Sequence, residues 1–165
     1  MMEIILGGEG HMNAYELKIK EYLHSTNADA EHFILNQSCH TVQDAAKAVN
    51  VSINDVVKNI CMIDQNGNVI VAIVRGEDRA STSRVSKALH IERPRLADEK
   101  EVLEGTGYPA GGVPSFGFDA TFLIDPRVME LNYVFTGGGS PHSLVKMKVE
   151  DLLKLNRGKN VRVRK

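Results

Sequence analysis

The sequence predicts an α+β domain built on a mixed, mostly antiparallel β-sheet. Helix-type and strand-type segments alternate along the 165 residues, and no repeat with a period of roughly 20 to 50 residues is present. A hairpin signal, Asn66-Gly67, stands between two apolar runs. The composition, with 42% hydrophobic and 25% charged residues, is that of a globular chain. At this length we expect one domain with one sizeable core.

Cap signals mark the predicted helices. Thr41 is followed three residues later by Asp44, and Asp98 by Glu101. This is the spacing of an N-terminal cap with its reciprocal acid. An apolar stripe among charged residues predicts a further helix that begins near Met12. The remaining predicted helices cover residues 81–89 and 151–155.

Runs of β-branched residues predict the strands of the sheet. They cover residues 56–63, 69–74, 120–124, 133–135 and 144–149. Near the C-terminus, valine alternates with arginine, which predicts an edge strand with Val161 and Val163 inward and Arg162 and Arg164 in solvent. The last nine residues contain no acid, so this edge is either a basic strip suited to phosphates or a solvated terminal strand.

Residues 1–11 are set apart from this domain. They contain three glycines and show neither a helical nor a strand period. We expect them to be disordered or of artificial origin. The single domain would then cover residues 12–165.

Several classes of protein are excluded by what the sequence lacks. No apolar run approaches the roughly 20 residues of a membrane helix, and no secretion signal opens the chain. Cys39 and Cys61 are too few for a disulfide framework, and the histidines lack the paired spacing of zinc ligands. Segments 105–110 and 137–143 lack the context of a nucleotide-binding loop. We therefore expect a cytoplasmic protein with no metal, no cofactor and no membrane partner.

Lys58 breaks the pattern of its predicted strand. Period two places it beside Ile60 and Met62, while Val57 and Cys61 share the other face, so both faces are largely apolar. Burying an ammonium without a partner is costly. Lys58 therefore either extends to solvent at the start of the strand or enters a pocket that supplies a partner. The adjacent Asn59 offers amide donors and an acceptor to the same pocket, or bonds a turn.

Two glycine-rich loops could border such a pocket. Glycines and a stiffening proline in residues 110–117 suit backbone N–H groups aimed at a carbonyl or phosphate oxygen, although a tight crossover loop has the same composition. His142 follows the glycine run 137–139, where an imidazole could orient an amine, a hydroxyl or water, or serve the fold. Neither a nucleophile elbow nor a reactive cysteine setting is present in the sequence.

Eight ordered segments resemble the YbaK and prolyl-tRNA-editing domains, which are free-standing relatives of the editing insertion of prolyl-tRNA synthetase. They are residues 41–51, 56–59, 71–76, 95–98, 106–108, 111–117, 123–125 and 137–139. The resemblance implies a curved, barrel-like mixed sheet flanked by helices. Its pocket would accept the aminoacylated 3′ end of a mischarged tRNA and hydrolyse the ester. A synthetase is a further implied partner.

The resemblance also implies a role for individual residues. Lys58 corresponds to the family's pocket lysine, which holds and polarises the substrate, while the terminal ribose hydroxyl positions the attacking water. The implied substrate-binding residues lie beside Lys58 and on the two glycine loops. They are Asn59, Gly111, Gly112, Val113, Pro114, Gly138, Gly139 and His142. Arg162 and Arg164 of the basic tail are the predicted tRNA-binding residues.

One position departs from the family pattern. The family loop often reads Gly-x-x-x-Pro, whereas Pro114 comes one residue early when counted from Gly111. Asn59 and His142 resemble the subgroup that clears alanine from tRNA for proline, while another subgroup clears cysteine. The expected function is therefore deacylation of a small amino acid. A non-catalytic tRNA- or synthetase-binding module and a hydrolase of another small acyl ester are the alternatives.

Overall fold

The computed structural model describes residues 12–165 in full and residues 2–6 by their backbone. Its strands are β1 (Met2–Leu6), β2 (Ala30–Ile34), β3 (Val57–Ile63), β4 (Val69–Arg75), β5 (Arg95–Leu96), β6 (Thr121–Ile124), β7 (Tyr133–Gly137), β8 (Ser143–Lys148) and β9 (Lys159–Asn160). Its helices are α1 (Ala14–Ser25), α2 (Val42–Ala48), α3 (Thr82–Leu89), α4 (Glu99–Thr106), α5 (Pro126–Met129) and α6 (Val149–Asn156). A 3-10 helix covers Ile53–Asp55.

The strands form two sheets. One has the order β1-β2-β8-β7 and the other the order β5-β3-β4-β6-β9. Antiparallel pairs are β2 with β8, β7 with β8, and β3 with both β4 and β5. The pairs β1–β2, β4–β6 and β6–β9 are parallel. The sheets meet where Val56 and Phe135 form a parallel bridge. The predicted α+β class with mixed, mostly antiparallel pairing is confirmed.

The predicted hairpin is β3 and β4. Its turn depends on Asp64, whose carboxylate accepts from the backbone N–H groups of Asn66 and Asn68, both at 2.8 Å. Gly67 has a φ of +83°, in the left-handed region that favours glycine. The register pairs Lys58 with Val74, so Lys58 lies near the start of β3 opposite the end of β4.

Both faces of this hairpin are buried, as its apolar sequence predicts. On one face, Cys61 and Ile73 pack in a core with Leu23 of α1 and with residues of α6 and β8. On the other face, Met62 and Val74 pack with Val85 of α3. The hairpin is therefore a rigid central element from which Lys58 is presented.

The predicted caps begin the helices where the sequence places them. The Thr41 hydroxyl accepts from the Asp44 N–H at 3.0 Å. Asp98 accepts from the Glu101 N–H at 2.8 Å, and the Glu101 carboxylate accepts from the Asp98 N–H at 3.1 Å. This reciprocal pair satisfies two of the N–H groups that a helix start leaves without intrahelical partners.

Strands β1 and β2 were not predicted. In β2 a buried histidine, His32, occupies the central inward position between Ala30 and Ile34, which hides the apolar alternation. Met2–Leu6 pair in parallel with β2, although residues 1–11 showed no strand period. Residues 1 and 7–11 lie outside the described residues, so the leader and the 12–165 boundary stay predictions. No helix among the described residues is long and apolar enough to cross a membrane.

The C-terminal segment differs from the predicted edge strand. In this segment, β9 pairs with β6 over two residues. Beyond β9, Arg164 forms an isolated antiparallel bridge with Ala80. Val163 is fully buried as expected. Arg162 is exposed, but the Arg164 guanidinium donates to the buried Asp125 carboxylate at 2.8 Å. The predicted pair of solvent-facing arginines is therefore wrong for Arg164, because a buried acid draws its side chain inward.

Candidate active site

A cavity of about 850 Å³ lies beside β3. Its walls come from the start of α2 with the residues before it, β3 with the residues before it, the turn after β4, β5 with α4, the loop before β6, and the end of β7 with the start of β8. The lining includes His40, Lys58, Asn59, Glu77, Arg79, Leu96, Gly111, Val113, Thr136 and Gly137. Residues distant in sequence, including members of six of the eight resembling segments, are thus brought to one site.

The open edge of β3 explains why consecutive residues line the cavity. On this side β5 pairs only with Met62 and Ile63, at the far end of the strand. At the near end the preceding residue, Val56, bridges Phe135. Between them, no strand among the described residues covers the edge. The cavity therefore meets an exposed strand edge with free hydrogen-bonding capacity.

Lys58 enters the cavity and does not lie at a solvent-facing strand end. Its side chain is half-buried, and among the described residues it makes neither a hydrogen bond nor an ion pair. Burial lowers the pKa of Lys58, the nearby Arg79 guanidinium lowers it further, and the Asp78 carboxylate opposes both. A cation in this setting is poised to bind a negatively charged or carbonyl oxygen.

Asn59 ties the first glycine loop to β3. Its side-chain N–H groups donate to the Val113 carbonyl and the Thr136 hydroxyl, both at 2.9 Å. Its carbonyl oxygen accepts from the Ser115 hydroxyl at 2.6 Å. Both amide hydrogens are thus committed within the protein, and only the second lone pair of Oδ1 is available to a ligand. Asn59 lines the cavity, but its main contacts position the loop.

The first glycine loop presents alternate residues to the cavity. Gly111 and Val113 line it, whereas Gly112 and Pro114 are buried behind them. The Gly112 N–H donates to the Pro109 carbonyl at 3.0 Å. Across the described chain, the N–H groups of Gly111 and Val113 donate to no protein acceptor. Both N–H groups are therefore available to donate to an acceptor oxygen in the cavity.

The second glycine loop supports the first and does not face it across the cavity. The Gly139 N–H donates to the Gly112 carbonyl at 2.8 Å. Gly138 and Gly139 are buried, and neither lines the cavity, although Gly137 does. Gly138 and Gly139, which the resemblance implies to be substrate-binding residues, therefore lie behind the first loop, because backbone packing between the two loops occupies their surfaces.

A buried polar network holds the second loop from behind. The Ser140 hydroxyl donates to the Glu16 carboxylate of α1 at 2.6 Å and lies 3.0 Å from the Ser143 hydroxyl. His32 Nε2 lies 2.9 Å from the Gly138 carbonyl oxygen. The pKa of His32 lies below its ordinary value, mainly because the side chain is buried. This network was not predicted from the sequence. Its one sequence signal is the three-residue spacing of Asn13 and Glu16, which is typical of a helix cap.

His142 lies outside the cavity lining. Its side chain is exposed, and its Nδ1 lies 3.2 Å from the Gln37 carbonyl oxygen. His40 lines the cavity instead and packs directly against Gly111. Arg162 and Arg164 are likewise absent from the lining. Among the described residues, no three of histidine, cysteine, aspartate and glutamate form a group suited to a metal.

Replacing Gly112 tests the contact between the loops. A Cβ at this position would lie 2.6 Å from the Gly139 carbonyl carbon and 2.7 Å from the Ser140 Cα, inside the separation that real side chains keep. Neither backbone can yield cheaply, so we expect Gly112→Ala to displace the Gly111–Val113 edge and to lower stability by about 1–3 kcal/mol. Urea unfolding measures the change. A fully stable Gly112→Ala protein would show that the loops do not pack in this way.

Both cysteines line the cavity, but neither is an activated nucleophile. Burial, with a smaller contribution from Asp44, raises the pKa of Cys39 to about 11. Burial raises the pKa of Cys61 to about 11 as well. Thiols in this range are protonated at neutral pH and react slowly. We expect a Cys39→Ala, Cys61→Ala variant to retain its hydrolytic rate within about threefold, measured by single-turnover deacylation. Loss of the rate in a folded variant would indicate a cysteine nucleophile.

Comparisons with known proteins identify the family of the chain. The family model described as "Aminoacyl-tRNA editing domain" matches residues 36–155. An uncharacterized protein of Bacillus subtilis, YwhH, is 26% identical over 117 residues, which are 70% of this chain and 74% of that protein. A proline–tRNA ligase of Lactobacillus helveticus is 28% identical over 108 residues, 64% of this chain but only 19% of the ligase.

A solved structure supports the fold. A crystal structure of a candidate trans-editing enzyme for prolyl-tRNA synthetase superposes on this chain with a TM-score of 0.86 at 22% sequence identity. The match covers 94% of this chain and 99% of that one. The family match spans most of the chain and contains Lys58, Asn59 and both glycine loops. The chain belongs to the aminoacyl-tRNA editing domain family.

Proposed function

We propose that this protein is a trans-acting deacylase that hydrolyses the ester of a mischarged tRNA, with a small amino acid such as alanine or cysteine on tRNA for proline. The observation that carries the proposal is Lys58, a cation inside a cavity of about 850 Å³ that has no hydrogen-bond or ion-pair partner among the described residues. The cytoplasm, where tRNA is charged, is the proposed location. A synthetase is a proposed partner.

The proposed reaction is ester hydrolysis. A water oxygen attacks the aminoacyl carbonyl carbon, the bond from that carbon to the ribose oxygen breaks, and the ribose oxygen takes a proton. The products are the free amino acid and the tRNA with its terminal hydroxyl restored. The neighbouring ribose hydroxyl of the substrate positions the water, so no protein nucleophile is required. The high pKa of both cavity thiols is consistent with this scheme.

Charge develops on the carbonyl oxygen as water adds. The N–H groups of Gly111 and Val113, which have no acceptor in the described chain, are the proposed donors to that oxygen. Lys58 is the proposed cation that holds and polarises the same end of the substrate. Asn59 acts mainly by fixing Val113 through its hydrogen bond to the carbonyl oxygen.

The preference for a small amino acid rests on the resemblance of Asn59, directly after Lys58, and of His142 to the subgroup that clears alanine. Gly138, Gly139 and Pro114, predicted to touch substrate, are proposed instead to support Gly111 and Val113 from behind. His142 stays a prediction, and its exposed side chain lies outside the cavity lining.

A deacylation panel tests the proposal. The purified chain is incubated with tRNA for proline that carries alanine, cysteine, serine or proline, and the surviving ester is followed over time. We expect the alanyl or cysteinyl ester to be hydrolysed at least about tenfold faster than the prolyl ester. Binding of all four without hydrolysis would favour a non-catalytic module. Hydrolysis of small acyl esters, with no effect on any aminoacyl-tRNA, would favour the third alternative.

A further inference from the structure

Two cations face the cavity without a partner among the described residues. Lys58 and Arg79 both line it, and in the described part of the chain neither side chain makes a hydrogen bond or an ion pair. They are close enough that the Arg79 charge lowers the pKa of Lys58. Two unpaired like charges that share a cavity wall raise each other's energy, and an anion between them would relieve both.

The acids beside Arg79 are already engaged elsewhere. Arg127 of α5 donates to the Glu77 carboxylate at 3.0 Å and to the Asp78 carboxylate at 2.8 Å. Arg75, at the end of β4, pairs in turn with Glu130 at 3.3 Å. Arg127 thus partly neutralises both acids of this turn, so the two cavity cations are only partly opposed, by Glu77 in the lining and by the Asp78 carboxylate that acts on Lys58.

The backbone that carries Arg79 is fixed on both sides. Gly76 packs against the Val56 carbonyl oxygen, where a Cβ would lie at 3.0 Å. The Arg79 carbonyl accepts from the Lys165 N–H at 2.8 Å, and Ala80 bridges Arg164. The C-terminal segment therefore holds the Arg79 backbone in place beside the cavity, and only the side chain is left to move.

We propose that Arg79, beside Lys58 at the cavity, is an anion site that takes the phosphodiester group preceding the terminal nucleoside of the aminoacylated RNA, while Lys58 faces the aminoacyl end. This inference rests on the proposed function and deepens it. A guanidinium binds a phosphate through two parallel N–H donors, which an ammonium cannot do. Arg79 thus supplies phosphate affinity close to the reacting ester, a part that the sequence assigned to Arg162 and Arg164.

Minimal substrates with and without the phosphate test the site. Alanyl-adenosine carries the ester alone, whereas alanyl cytidylyl-(3′→5′)-adenosine adds one phosphodiester. We expect Arg79→Gln to lower kcat/KM for the dinucleotide about tenfold, mainly through a higher KM. For alanyl-adenosine, kcat/KM of the variant should stay within twofold of the parent value. Arg79→Lys should restore part of the loss. The matched control is Lys87→Gln, which removes an exposed charge on α3 outside the cavity lining. It should leave kcat/KM unchanged for both substrates.

A binding measurement separates this inference from the proposed function. Nuclear magnetic resonance titration with unacylated cytidylyl-(3′→5′)-adenosine and with adenosine gives the two dissociation constants without any reaction. We expect Arg79→Gln to weaken dinucleotide binding about tenfold and adenosine binding by less than twofold. If Arg79→Gln leaves the ratio of the dinucleotide and adenosine dissociation constants unchanged, the anion site is overturned, even if the parent protein hydrolyses esters. The expected change in that ratio would support the site even if no ester were hydrolysed. A drop caused by Arg162→Gln and not by Arg79→Gln would assign the phosphate to the tail.

Discussion

Lys58→Ala is expected to lower the single-turnover rate of deacylation by about 100-fold or more. The replacement removes the cavity cation that would polarise the aminoacyl end, and removal of one group that stabilises developing charge typically has an effect of this order. The Gly111 and Val113 amides are left in place by the substitution, so a residual rate above the uncatalysed one should persist. Rapid-quench measurement of the remaining ester gives the rate.

The fold should tolerate the Lys58 substitution. Burial lowers the pKa of Lys58, which means that the folded protein disfavours the charged ammonium relative to the unfolded chain. Removing it should therefore leave the free energy of unfolding unchanged or slightly raised near pH 7. Lys87→Ala, on the exposed side of α3, is the matched control for the loss of a lysine. Near-normal turnover by a folded Lys58→Ala protein would falsify the role of Lys58.

Asp125→Asn is expected to lower the free energy of unfolding by about 3–5 kcal/mol. Asp125 is completely buried and accepts from the backbone N–H groups of Arg127, Val163 and Arg164 at 3.0–3.1 Å, and from the Arg164 guanidinium at 2.8 Å. An asparagine would direct an N–H₂ group at donors and leave the guanidinium without its anion. Breaking one partner of a buried ion pair has a cost of this order. Urea unfolding at pH 7 measures it.

The same carboxylate predicts a pH dependence of stability. Burial opposes ionisation of Asp125, but its hydrogen bonds to Arg127, Val163 and Arg164 outweigh burial, so its pKa lies below the ordinary value. The resulting stability is fully present above the unfolded pKa of about 3.9 and is lost as the pH falls through the lowered folded pKa. The Asp125→Asn curve should run closer to flat across this acid range. Parallel curves for parent and variant would contradict the ion-pair assignment.

The Asp125 contacts also change how the basic tail is understood. Arg164 is held inside by Asp125, and the backbone of the tail pairs with the Arg79 segment. Alternation of valine and arginine predicted the burial of Val163 but not the inward turn of Arg164. The sequence carries no local sign that Asp125 lies opposite, because 38 residues separate it from Val163. Effects of Arg164 substitutions on RNA binding would therefore include loss of stability.

Local signals predicted the elements that form locally. The Asn66-Gly67 turn and the Thr41 and Asp98 caps depend on neighbours within four residues, and each is present in the structure. The lone lysine in an apolar strand left two alternatives open, a solvent-facing strand end or a pocket, and the structure agrees with the second. In contrast, the packing of Gly112 against Gly139 depends on a contact between distant loops. Composition alone could not tell a loop that lines the cavity from one that supports it.

Single-turnover hydrolysis of alanyl-tRNA for proline, ending in adenosine or in 2′-deoxyadenosine, is the decisive measurement. If the cavity is a deacylase that relies on the substrate's own hydroxyl, the parent protein should clear the normal ester and should hydrolyse the 2′-deoxy ester about 100-fold more slowly. Equal rates on both substrates would mean that the protein itself activates the water or supplies a nucleophile. Hydrolysis of neither, by a folded protein, would contradict the assignment of this cavity as a deacylase.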